Sequence, residues 1–138
     1  MKNAYFSIGA TLKQLLQRMQ QYAQTSLPPE FEYLRLAADP LVPIWPEGGL
    51  SWLGTFYAVS LLEEDVPFFE MGAQEVNDVC RVRIRCLDPR AANWVRQLIN
   101  WLAPGRASGA RAAEPFVPLP AALRRAVPVD RLGWQPRG

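Results

Sequence analysis

Apolar residues at Ile8, Leu12, Leu15, Leu16, Met19, Tyr22 and Ala23 recur at the three- and four-residue spacing of a helix, with Lys13, Gln14, Gln17, Arg18 and Gln21 between them. The pattern predicts an amphipathic helix with one core face, starting around Ile8 and ending near Thr25, ahead of Pro28 and Pro29. Residues 28–46 carry no clear period; Pro28 to Pro40 fits either a short helix opened by Pro28 and Pro29 or a strand leaving the first helix, with extended backbone the preferred reading. Pro43 and Pro46, around Ile44 and Trp45, exclude a central strand there, and Glu47-Gly48-Gly49 marks a turn. Trp52 to Leu62 then reads as a strand rich in aromatic and β-branched residues, closed by Glu63-Glu64-Asp65. Val66 to Met71 is the expected return strand of a hairpin, with Pro67 confining it to a sheet edge.

The strongest local signal is Val79 to Leu87. Cys80, Val82, Ile84 and Cys86 alternate with Arg81, Arg83 and Arg85, the period of a strand with one buried and one solvated face. Asp88-Pro89 follows as a helix start, since Asp88 is placed to accept free N–H groups and proline suits the first helical position. Ala91, Val95, Leu98, Ile99 and Leu102 form the next apolar stripe, flanked by Trp94 and Trp101 and stopped by Pro104-Gly105. The expected fold class is α+β: a small antiparallel sheet packed by an N-terminal helix and by a second helix after the last main strand. Residues 1–102 make up the core domain. Residues 103–138 read as a Pro- and Arg-rich linker and extended C-terminal arm, with Ala103 to Pro115 aperiodic, Phe116 to Pro120 extended, a short helical turn over Ala121 to Ala126 and an apolar end from Val127 to Trp134.

Composition sharpens this division. Hydrophobic residues make up 49% and charged residues 20%, so the body should bury a core. The net charge of +2 is unevenly placed: residues 1–102 are net −2 and residues 103–138 net +4. More than half of the 13 prolines lie from Pro89 onward, in keeping with an arm of extended and turning backbone. The longest apolar stretch, Leu50 to Leu62, is 13 residues and broken by Ser51, Gly54, Thr55 and Ser60, whereas a bilayer span needs about 20 residues. The start of the chain lacks a small-residue cleavage site, so no signal peptide is expected.

The chemistry on offer is sparse. There is no histidine, which removes the commonest general base and every Ser/His or Cys/His nucleophile arrangement. No phosphate-loop spacing accompanies Gly48-Gly49. Cys80 and Cys86 lie about 20 Å apart along a straight strand, too far to bond each other, and two thiols are too few for a structural zinc site. They read as reduced core thiols. Glu63, Glu64 and Asp65 read as a solvated turn available to a basic surface. Arg81, Arg83 and Arg85 read equally as a solvated strand face or as an interface for an acidic partner. Five tryptophans are many for this length, and Trp94 and Trp101 on the flanks of the second helix suggest contact with a neighbour. No catalytic residue, cofactor, metal or small-molecule substrate is expected.

The order of elements, with VCRVRIRCLDP running straight into RAANWVRQLINWL, resembles bacteriophage tail terminator and tail-completion proteins over roughly residues 8–102. That resemblance implies a structural virion protein: a homomeric ring, usually of six, that stops tail-tube growth and meets the tube on one side and the neck on the other. It would reside in the virion tail, and in the host cytoplasm before assembly. On the residues themselves, the interface candidates are Arg81, Arg83, Arg85, Trp94, Trp101, Glu63, Glu64 and Asp65. Two other classes stay open: a bacterial adaptor or immunity protein binding a single effector, and a weak nucleic-acid binder using the arginine face and basic arm.

Overall fold

The computed structural model describes residues 3–39, 41–44, 49–62 and 64–103. The chain runs β1 (Asn3–Ile8), α1 (Leu12–Ser26), β2 (Tyr33–Ala38), β3 (Val42–Ile44), β4 (Gly49–Val59), β5 (Val66–Val76), β6 (Val79–Cys86) and α2 (Pro89–Leu102). The α+β class therefore holds. The six strands form one sheet in the order β1-β6-β5-β4-β2, with β3 also paired to β4, and every pairing is antiparallel. Residues 104–138, including nearly all of the expected linker and arm, lie outside the described residues, as do Glu63 and residues 45–48, among them Glu47 and Gly48 of the expected turn, whose Gly49 opens β4.

Ile8 is not helical. It ends β1, a strand that the helical spacing concealed, because Ile8 sits four residues before Leu12 and fits either period. α1 begins instead at Leu12, behind a capping box in which Thr11 accepts from Gln14 N and Gln14 reaches back to Thr11 N. The carboxylate of Glu75, at the far end of β5, adds a second cap by accepting from Leu12 N at 2.6 Å. Glu75→Ala leaves that donor without its partner and is expected to cost about 1–2 kcal/mol in urea unfolding. A loss indistinguishable from zero would mean that water replaces the carboxylate freely.

β5 is an interior strand, between β6 and β4, and continues to Val76 rather than stopping at Met71. Pro67 is tolerated because it lies near the start of the strand, where β6 has not yet begun to pair: the first β5–β6 partners are Phe69 and Cys86. It also lies beside a bulge. Phe56 faces Phe69 and Tyr57 faces Pro67, so Phe68 is the additional residue. Phe68 and Phe69 are consequently both fully buried despite being adjacent in sequence. At the other end, Asn77 and Asp78 take positive φ values of 52° and 60°, the conformation of a two-residue hairpin that joins β5 to β6.

Both helices cover one face of the sheet. On that face β6 places Cys80, Val82 and Ile84, and the partner residues of β5 and β1 lie level with them. Stacked Phe56 and Phe69, 4.6 Å between centroids, lead through Trp94 to Tyr22 of α1, so one aromatic train joins the sheet to both helices. Each of the fully buried phenylalanines contributes roughly 1.5–3 kcal/mol by removal from water. β4 spans Gly49 to Val59, three residues earlier than the hydrophobic run suggests; Leu61 and Leu62 lie beyond it, exposed.

Candidate interaction surfaces

The arginine row occupies the sheet face opposite the helices. Because β6 alternates, burial of Cys80, Val82 and Ile84 turns Arg81, Arg83 and Arg85 the other way; the first two are half-buried and Arg85 is exposed. Register places Ser7, Tyr5 and Asn3 of β1 on one side of them and Gln74, Gly72 and Glu70 of β5 on the other. Arg85 approaches the Glu70 carboxylate at 3.5 Å, an exposed pair that contributes about 0–1 kcal/mol. The row is thus a basic band in a face that also carries tyrosines and short polar side chains. The β1 and β5 members of this face depend on pairing over long sequence separation, and nothing in their local sequence marks them.

Across the same face, Arg35 of β2 lies 4.4 Å over the ring of Tyr57 and pairs with Asp65 at 2.8 Å. Asp65 and Glu64 are exposed in the connection from β4 to β5, as the solvated-turn reading has it, and Glu63 lies outside the described residues. Asp65 is committed in part to Arg35 of its own chain. Sequence reading passed over Arg35 and Tyr57, which only the β2–β4 register brings opposite each other.

The two helix tryptophans part company. Trp94 is 3% exposed, so it is a core residue and not a flank free to touch a neighbour. Its indole N–H donates to Ser26 Oγ at 3.1 Å, and that hydroxyl donates in turn to the Tyr22 carbonyl. The sequence stripe misplaced it because α1 crosses α2 at this level and widens the buried face beyond the Leu98 line. Trp101 is 45% exposed, leaning on Tyr22 at 5.1 Å, and remains an interface candidate.

At the start of α2, Asp88 caps Arg90 N and holds the Arg90 guanidinium at 3.0 Å. The side-chain hydrogen bond from Arg90 holds the Asp88 carboxyl below its ordinary range. Arg90 also lies over Phe31 at 4.7 Å and reaches Glu30 at 3.7 Å, tying the loop before β2 to the helix.

Both cysteines are free thiols. Cys80 is fully buried, while Cys86 is only partly so, at the sheet end where β6 turns into α2. Burial pushes the Cys80 thiol up to about 12, with the Glu75 carboxylate adding to the effect. Burial also raises Cys86. Thiol labelling in the folded state should therefore find Cys86 first and leave Cys80 unmodified until the protein opens; rapid reaction of both would contradict the strand faces. The Cys80 thiol is neutral in both states below its ordinary pKa; above about 9 the unfolded chain alone gives up the proton, so stability falls as pH rises towards 12.

Among the described residues no group of three or more Cys, Asp or Glu side chains is placed to hold a metal ion, and no helix is long and apolar enough to cross a membrane. Comparison of the chain with protein-family models, with curated proteins and with solved structures returns no match.

Proposed function

We propose that this chain is a structural protein of a bacteriophage tail, assembling as a homomeric ring that caps the tail tube and joins it to the neck. The observation that carries the reading is the one-sided sheet. Its helices sit on one face, and the other presents the Arg81, Arg83 and Arg85 band without a covering layer among the described residues. A charged, aromatic sheet face of that kind suits protein–protein contact more than chemistry. Exposed Trp101 adds an aromatic anchor on the helix side. The strand-to-helix ending β6–α2 supports the element order that resembles tail terminators, whereas β1 stands ahead of α1, so the helix does not open the chain as that resemblance implies.

The acidic side chains around β2 favour a second reading, an adaptor or immunity protein that meets one basic effector surface. Electron microscopy of the native assembly separates these. The tail reading expects closed rings of one chain, seated at the end of a tube. A one-to-one complex with an unrelated protein, and no ring, would sink it in favour of the adaptor; salt-sensitive retention on DNA or RNA would point to the nucleic-acid class instead.

A further inference from the structure

Among the described residues the sheet ends in two edges, β1 and β2, and they differ in charge. Among the described residues β1 pairs only with β6, so the outer backbone groups of β1 have no strand beside them. Proteins usually blunt such an edge with a charge, a proline, a bulge or extreme shortness. β1 has none of these. Its six residues, Asn-Ala-Tyr-Phe-Ser-Ile, contain no charge and no proline, and they pair in unbroken register from Asn3 with Arg85 to Ile8 with Cys80. One strand inside this edge stand Arg81, Arg83 and Arg85, with Glu70 offsetting part of their charge.

The far edge is β2, also six residues long. Exposed acids surround it: Glu30 and Glu32 precede the strand, Asp39 follows it, and Glu64 and Asp65 sit in the β4–β5 connection that reaches β2 through Arg35. Arg35 pairs with Asp65, and Arg90 is shared between Glu30 and Asp88, so Asp39 and Glu64 carry the negative charge of this edge further. Four antiparallel steps separate β1 from β2, so the two edges run in the same direction. Both also turn apolar residues to the helix side, Phe6 and Ile8 on β1, Leu34 and Leu36 on β2.

We propose that copies of this chain join head to tail, with β1 of one copy laid parallel beside β2 of the next, so that sheet and helix layer continue from copy to copy. The proposal deepens the ring reading and rests on it for the second copy as the partner. Backbone pairing of this kind is strand addition at an open edge. Strand rows are about 4.8 Å apart, so arginine side chains on β6 lean across β1 towards Asp39 and Asp65 on the arginine side of the neighbouring edge, where Arg35 takes up part of that charge, while Glu30 stays on the helix side with Arg90. Pairing β1 with β1 about a twofold axis would bring two arginine rows together; the head-to-tail seam brings opposite charges together. Such a contact is heterologous, and closes into a ring when the rotation between copies allows.

Sedimentation of the full chain, with and without added salt, tests the seam through two double variants. Asp39→Lys with Glu64→Lys makes both edges basic; Arg81→Glu with Arg83→Glu makes both acidic. Wild-type chain is expected to associate in a salt-sensitive way, each variant alone at least about tenfold more weakly, and an equimolar mixture of the two to recover association, because every seam then joins a basic edge to an acidic one. Thermal melts establish that each variant is folded, and Glu64→Lys paired with Arg81→Glu replaces the doubles if one is not. Variants that associate like wild type, or a mixture that recovers nothing, overturn the seam. A wild-type chain that stays monomeric up to its solubility limit also overturns it, and leaves the tail-cap reading to fail or stand on whether rings are found at tube ends.

Discussion

Trp94→Ala is expected to lower the unfolding free energy by about 3–5 kcal/mol, and Trp101→Ala by less than about 1 kcal/mol. The two residues have the same chemistry and lie on the same helix, so the contrast measures position alone. Trp94 is enclosed by Phe68 at 5.9 Å, Phe69 at 5.8 Å and Tyr22 at 5.7 Å, and its deletion would also leave the Ser26 hydroxyl without its indole donor. An alanine there opens a cavity at the junction of sheet, α1 and α2, where neither helix can collapse without losing the other. Trp101 rests on Tyr22 from outside and leaves little void behind. Urea midpoints with unchanged m-values would establish the difference. Equal losses would show that α2 sits deeper than the exposure of Trp101 indicates. The Trp101 variant has a second use, since a small effect on folding makes it a clean probe of assembly.

Gly49→Ala is expected to cost about 3 kcal/mol or more, from overpacking against backbone that cannot turn aside. A Cβ built at Gly49 would lie 2.1 Å from the Glu75 carbonyl oxygen and 2.7 Å from Val76 Cγ2. That carbonyl belongs to the interior strand β5, and moving it would disturb the β4–β5 and β5–β6 pairings together, along with the Glu75 cap on α1. Gly9 provides the control. Nothing lies within 4 Å of a Cβ built there, so Gly9→Ala should change stability by less than about 0.5 kcal/mol. A Gly49→Ala protein of wild-type stability would mean that the start of β4 can move away from β5 without consequence.

The candidate surfaces were legible to the extent that they lie on one element. Alternation along β6 suffices to put Arg81, Arg83 and Arg85 on the face away from Cys80, because side-chain direction in a strand is a property of that strand. Which residues stand beside them is a property of pairing. Tyr5 and Ser7 reach the arginine row from the opposite end of the described chain, and Arg35 meets Tyr57 through a register that no local pattern announces. The acid excess near β2 is likewise invisible in order along the chain, where Glu30, Asp39 and Asp65 are well separated. The tertiary fold collects them at one edge and leaves the arginines near the other.

Local chemistry alone determined the ends and faces of several elements. Asp88-Pro89 starts α2 because a side-chain oxygen and a ring-fixed φ act within one turn, and the stripe from Ala91 to Leu102 selects the buried side because helical spacing repeats regardless of context. The body of α1 and the faces of β6 follow by the same reasoning. Only the tertiary structure decided that Ile8 ends a strand, since a residue preceding a helix fits both periods until β6 offers it a partner. It also decided that β5 is central in spite of Pro67, because the cost of a missing donor depends on whether a neighbouring strand is there to accept it. Trp94 went inward for the same kind of reason. The width of a helix's buried stripe is set by what crosses it, and α1, arriving from far away in sequence, crosses α2 at Trp94 and leaves Trp101 at the rim.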